Sequence, residues 1–217
     1  ADALRIAANV LDSGKELKTI YVSQADPDYY FGVETIKEIF PTAEVVTTPA
    51  VLEKINAKLA GKIAFWGPKM GANAPRTPVL PKAISGTTLT VDGQTVEIRG
   101  TTGPLAHRPY AWIPSIKAVV GNIGVFGANM HVWTADTQTV AERSAWVAQL
   151  DEMAALQPAL VVPGHMPAGT ALDVSNVTYT KGYLQAFEKN AAATKTSAEL
   201  IDAMKKAYPA APMGLSL

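Results

Sequence analysis

Short β-branched runs alternate with amphipathic helical segments over residues 1–59, and this alternation is the feature that most limits the fold. Residues 17–23 and 44–48 are rich in Val, Ile, Thr and Tyr, which favour strands. Apolar residues three and four positions apart predict helices over 1–11, 32–40 and 49–59. Strands that alternate with helices are typical of α/β layers, so we predict an α/β fold.

The second half of the chain carries further strand and helix signals. The hairpin signal at 88–99 is the clearest, because Asp92-Gly93 supplies a positive-φ turn between two arms of alternating polarity. A second strand–turn–strand signal spans 116–126, around Gly121-Asn122. The remaining predicted elements are a helix over 137–156, a buried strand over 158–162 and a helical tail from about residue 179.

We expect one domain over residues 1–217, because an apolar content of 48% is enough for a packed core. The proline-rich stretch 66–82 predicts an extended excursion from that domain.

Composition excludes several classes of protein. Basic and acidic residues both number 19, so no nucleic acid and no membrane is expected as a partner. The chain has no cysteine, which excludes disulfide frameworks, thiolate metal sites and cysteine nucleophiles. We find no apolar run that predicts a membrane span and no signal-peptide pattern, and the localisation stays unknown.

Polar side chains follow predicted strands at the positions where open sheets place their sites. Asp26 and Asp28 follow the strand over 17–23, His107 follows the hairpin, and His165 follows the strand over 158–162. Carboxylate and imidazole groups are typical ligands of Zn, Mn or Fe. We expect the third histidine, His131, in the wall of the site or in the core, and Arg108 at the surface.

Three motifs together resemble the metallo-β-lactamase superfamily. Residues 23–32, Ser-Gln-Ala-Asp-Pro-Asp-Tyr-Tyr-Phe-Gly, resemble its metal-binding loop, Thr-His-x-His-x-Asp-His-x-x-Gly. Residues 111–122 resemble the strand that ends in the bridging Asp of that family, and residues 161–165 resemble its Pro-Gly-His loop. The motifs occur in the family's order. The resemblance implies an αββα sandwich and hydrolysis of an ester, lactone or amide bond by metal-activated water.

The departures from the family's pattern affect both of its metal sub-sites. Asp28, His107 and His165 stand where the resemblance places metal ligands, and the family's second His is Asp26 here. The other three ligand positions hold Gln24 and Tyr29 in place of His and Asn122 in place of the bridging Asp.

Two outcomes follow from this ligand set. Asp26, Asp28, His107 and His165 could hold one divalent ion, Zn, Mn or Fe, with Asp28 as the catalytic residue that orients the water. Alternatively the protein is metal-free and its substituted positions refill the pocket with neutral hydrogen bonds. The first outcome predicts a hydrolase with a degenerate metal centre. The second predicts a non-catalytic pseudoenzyme that binds a small molecule, and metal-free hydrolysis with Asp26 or Asp28 as general base is a third alternative.

Family members place a β-rich segment before the first helix, and this chain begins at that helix. We therefore expect either a fragment or a first sheet that is supplied elsewhere. An uncovered sheet leaves unpaired edges, which favours a homo-oligomer or an exchange of elements between two copies. Sedimentation velocity is expected to show a species larger than one chain at high protein concentration, and a monomer throughout would contradict this expectation.

Overall fold

Two β-sheets, each accompanied by its own helices, make up the part of the chain that the computed structural model describes, residues 2–211. The chain divides into an N-terminal unit and a C-terminal unit, with the boundary between Thr87 and Thr88. The mixture of strands and helices confirms the predicted α/β class. No helix within the described residues is long and apolar enough to cross a bilayer.

The N-terminal unit contains a parallel three-stranded sheet in the order β1–β2–β3. Three residues at the centre of its core are completely buried: Val22, just after the first strand, and Val51 and Ile55 of the helix over Pro49–Met70. The elements are α1 (Asp2–Asp12), β1 (Thr19–Tyr21), α2 (Pro27–Tyr30), α3 (Val33–Ile39), β2 (Glu44–Thr47), α4 (Pro49–Met70) and β3 (Lys82–Ala83).

Helix α4 extends well beyond the predicted end at residue 59, and the predicted excursion therefore begins at Gly71 rather than at Trp66. The cause is packing, because Leu59, Ile63 and Trp66 continue the apolar stripe of the helix onto the core. Pro68 lies near the end of the helix, where its missing N–H removes one intrahelical hydrogen bond.

Helix α1 packs through a different face from the one that its apolar spacing predicts. Of the predicted face Leu4, Ala7, Ala8 and Leu11, only Ala7 is buried, and Leu4 and Leu11 are 56% and 60% exposed. The helix contacts α3, and Ala3 approaches Gly32 so closely that a Cβ there would lie 3.1 Å from the Ala3 Cβ. Small side chains therefore form the contact, and the larger apolar ones stay outside it.

The C-terminal unit contains a five-stranded sheet in the order β4–β5–β6–β7–β8, which is antiparallel except for the parallel pair β7–β8. The predicted hairpin is confirmed, with positive φ at both Asp92 and Gly93. The elements are β4 (Thr88–Val91), β5 (Gln94–Arg99), β6 (Tyr110–Ile113), β7 (Ala118–Phe126), α5 (Val140–Ala155), β8 (Leu160–His165), α6 (Ser175–Ala193) and α7 (Ser197–Ala207).

The predicted strand–turn–strand at 116–126 is wrong, because the segment forms a single strand, β7, that runs through Gly121-Asn122 without turning back. The segment is buried along nearly its whole length, so both halves stay in the sheet and pair with β8. The turn-forming residues instead produce a local irregularity, in which the register shifts and Asn122 takes a φ of 49°.

Gly127 is expected to be intolerant of a side chain, because a Cβ there would lie 2.6 Å from the Met166 Cβ and 2.9 Å from its Cα. Gly127→Ala should lower the free energy of unfolding by about 1–3 kcal/mol, as overpacking does. Gly182→Ala is the matched control, because this position in α6 has open space around it and alanine favours helix by up to ~1 kcal/mol. Urea unfolding of both variants checks this, and equal effects at the two positions would contradict the close packing at Gly127.

Candidate functional site

The loop that follows β1 carries four of the predicted site residues, and all four lie in the N-terminal unit. Gln24 is buried, with 1% of its surface exposed, whereas Asp28 is exposed. Asp26 has extended backbone at the N-cap position of α2, and its side chain does not cap that helix. Tyr29 is half-buried in the same short helix. The loop thus begins at the carboxyl end of a parallel strand, as the sequence predicts.

The carboxylate of Asp26 forms an ion pair with Lys62 of α4. The Lys62 Nζ lies 3.3 Å from the Asp26 Oδ1, and each side chain is about one quarter exposed (26% and 24%). The position that the resemblance assigns to a metal ligand therefore already has a cationic partner from the protein itself. Sequence reasoning missed Lys62, although it lies seven residues after Ile55 on the core-facing stripe of the helix, where a lysine is unusual.

Tyr30, at the end of this loop, is part of the core of the N-terminal unit. It is 1% exposed, and its hydroxyl has no hydrogen-bond partner within residues 2–211. Burial raises the pKa of Tyr30 to about 12, and the negative charge of Asp26 contributes to the same shift. The phenol therefore stays protonated at neutral pH and adds no charge to the loop.

His107 lies in the C-terminal unit, in a segment between β5 and β6 that several contacts hold in place. The next residue, Arg108, is buried rather than at the surface as predicted. Its guanidinium lies 4.2 Å from the centre of the Trp146 ring and donates a hydrogen bond to the Ile123 carbonyl at 3.1 Å. The Gln149 amide donates to the Arg108 carbonyl at 3.2 Å. His107 itself is half-buried.

Asn122, where the resemblance places the bridging Asp, contacts the same segment. Its Nδ2 donates a hydrogen bond to the Pro109 carbonyl at 3.0 Å, and the residue is 6% exposed. This contact connects the irregularity of β7 to the residues that follow His107. The amide at this position therefore has a structural partner within the C-terminal unit.

His165 is the last residue of β8 and lies opposite Phe126 in the parallel register. The two rings are 5.5 Å apart between centroids, and the His165 carbonyl accepts a hydrogen bond from the Gly127 N–H at 2.8 Å. The imidazole is half-buried at the carboxyl end of two parallel strands. This is the edge where the sequence places it.

His131 has a tyrosine partner close by. Its Nδ1 lies 2.9 Å from the hydroxyl oxygen of Tyr183, and the ring is half-buried. Burial lowers the pKa of His131, and the positive charge of Lys205 acts in the same direction. The geometry agrees with a packing role for this histidine.

The predicted site residues are divided between the two units, with Gln24, Asp26, Asp28 and Tyr29 in the N-terminal unit and His107, Asn122 and His165 in the C-terminal unit. Their convergence on one pocket stays a prediction. Over residues 2–211, no group of three or more histidine, aspartate or glutamate side chains is arranged to hold a metal ion. At three of the positions where the resemblance places metal ligands, the chain has the Gln24 amide, the Tyr29 phenol and the Asn122 amide in place of imidazole or carboxylate groups.

Comparisons with known proteins identify the fold. No protein-family model matches the sequence, and no curated protein matches it. A solved metallo-β-lactamase from Pontibacter korlensis aligns over 83% of this chain and 75% of its own, with 21% identity and a TM-score of 0.60. The DIM-1 metallo-β-lactamase aligns over 83% of this chain and 75% of its own, with 16% identity and the same TM-score of 0.60.

A third solved structure, of VMB-1 at pH 5.5, aligns over 88% of this chain and 75% of its own, with 21% identity and a TM-score of 0.59. The chain therefore has the metallo-β-lactamase fold. This confirms the fold that the three sequence motifs predict.

Asn122→Asp is expected to destabilise the protein, although it restores the residue type of the family. The carboxylate cannot donate to the Pro109 carbonyl 3.0 Å away, and two oxygen acceptors then face each other in a buried place. The expected loss is about 1–3 kcal/mol in the free energy of unfolding measured in urea. Asn129→Asp is the control, since Asn129 also has positive φ but is exposed. Equal stability of the two variants would contradict the role assigned to Asn122.

Proposed function

We propose that this chain is a hydrolase-like protein of the metallo-β-lactamase fold whose metal centre is degenerate, and that it binds a small molecule without two-metal catalysis. The ion pair between Asp26 and Lys62 is the observation that carries this proposal. A carboxylate that is already paired with an ammonium group is a poorer metal ligand, because the metal ion must displace that partner or bind beside its positive charge.

The chemistry of the other substituted positions supports the same proposal. Imidazole nitrogens are replaced by the Gln24 amide and the Tyr29 phenol, and the bridging carboxylate is replaced by the amide of Asn122. Structural zinc sites provide roughly 10–16 kcal/mol in total, so the loss of several ligands removes a large part of the binding free energy.

The residues that remain suit binding of a polar, uncharged ligand. An amide side chain such as that of Gln24 can donate and accept hydrogen bonds without carrying a net charge. His165 offers an imidazole backed by the Phe126 ring. We propose that the ligand is a small organic molecule.

A second candidate function is hydrolysis with a single divalent ion. The likeness to solved metallo-β-lactamases favours it, as does the imidazole of His165 at the strand end. In this alternative Asp26, Asp28, His107 and His165 would hold Zn, Mn or Fe, with Asp28 catalytic. Its substrate would be an ester, lactone or amide.

Elemental analysis and chelation distinguish the two candidates. Purified protein is expected to contain well below one Zn, Mn or Fe per chain after incubation with each metal, and a chelator should leave its unfolding midpoint unchanged, because the donor set does not fit a tight site. Stoichiometric metal that is lost in His165→Ala, together with hydrolysis of a model ester or lactone, would overturn the proposal. Ala148→Ser is the control variant, because it changes a residue outside the predicted ligand set.

A further inference from the structure

We infer that the Lys62 ammonium group provides the positive charge that pairs with Asp26 in the loop over residues 24–30, and that it competes with divalent metal for the Asp26 carboxylate. This inference rests on the proposed loss of the metal centre and adds a physical cause for it. The ligand class at issue is a divalent cation. The observation that carries the inference is the partly buried contact of 3.3 Å between Nζ and Oδ1.

The loop needs a positive charge near Asp26. Asp26 and Asp28 are separated by one residue, and two carboxylates so close in the chain repel each other unless a cation lies nearby. A lysine ammonium is a compact point charge with three donors, which suits this task. Because the pair is partly buried, salt screens it less than it screens an exposed pair.

Packing of α4 holds Lys62 in the position from which it reaches the loop. Val51 and Ile55, which precede Lys62 on this helix, are completely buried. Ile63 and Trp66, which follow it, pack against the same core. The helical segment that carries Lys62 is therefore fixed against the core of the N-terminal unit. Its ammonium reaches Asp26 across 36 positions of sequence.

A divalent ion and an ammonium group cannot both occupy the same side of one carboxylate oxygen. Metal at Oδ1 of Asp26 would break the contact with Lys62, and metal at Oδ2 would leave the ammonium group close by, so in either case two positive charges lie close together, which costs free energy. The lysine thus lowers the metal affinity of the loop in addition to the loss of imidazole ligands.

Lys62→Met tests this inference, because methionine keeps an apolar stem of similar shape and removes the charge. Titration calorimetry with MnCl₂ is expected to show affinity at least about tenfold higher for Lys62→Met than for the unmodified protein, a difference that one unit charge can readily supply. Mn²⁺ should also raise the unfolding midpoint of this variant and leave that of the unmodified protein unchanged. Lys54→Met removes an equal charge from the same helix and should behave like the unmodified protein, as should Lys62→Arg.

Equal Mn²⁺ affinity in Lys62→Met and the unmodified protein would overturn the inference, and so would an equal increase in Lys54→Met. A double-mutant cycle in metal-free buffer provides a second measurement if Lys62→Met folds poorly. In the Asp26→Asn background, Lys62→Met is expected to cause little further loss of stability, because the partner is gone. The same loss in both backgrounds would show that the two side chains do not interact.

The outcomes for the inference and for the proposed function are distinguishable. Stoichiometric metal and hydrolysis in the unmodified protein would contradict the proposed function, whatever Lys62→Met does. If the purified unmodified protein contains no metal, and Lys62→Met responds to Mn²⁺ no more strongly than the unmodified protein does, only the inference is contradicted.

Discussion

The parallel pairing of β7 with β8 is the interaction on which the C-terminal unit depends. The buried backbone of β7 pairs with β6 and β8, and at the C-terminal end of β7 side chains of α6 provide further hydrogen-bond partners. The Thr180 hydroxyl accepts a hydrogen bond from the Phe126 N–H at 2.9 Å, and the Asn176 side chain accepts one from the Ala128 N–H at 3.2 Å. The pairing also brings His165 beside Phe126, so the core and the candidate site depend on the same strand contact.

Two positions at which the resemblance places metal ligands have partners within the protein. Asp26 pairs with Lys62, and the Asn122 amide donates to the Pro109 carbonyl. In both cases a polar group that is partly or fully removed from water requires a partner, and the fold provides one from a neighbouring segment. These two contacts stabilise the loops through groups of the protein itself.

The segment around His107 shows the same principle with a buried cation. Arg108 packs its guanidinium on Trp146, and its carbonyl accepts a hydrogen bond from Gln149. Sequence reasoning placed this arginine at the surface, because most arginines are there. The face of the Trp146 ring and the Ile123 carbonyl, which accepts a hydrogen bond from the guanidinium, make the burial of this side chain favourable. Neither partner is near Arg108 in the sequence.

The sequence alone determined the elements whose signals are local. Turn chemistry predicted the hairpin at Asp92-Gly93, the alternation of strands and helices predicted the α/β class, and three motifs predicted the metallo-β-lactamase fold. The tertiary structure decided the length of α4, the continuity of β7, the packing face of α1 and the partner of Asp26. The physical reason is that local patterns report what a segment prefers. Burial and charge pairing depend on groups that only the folded chain brings near.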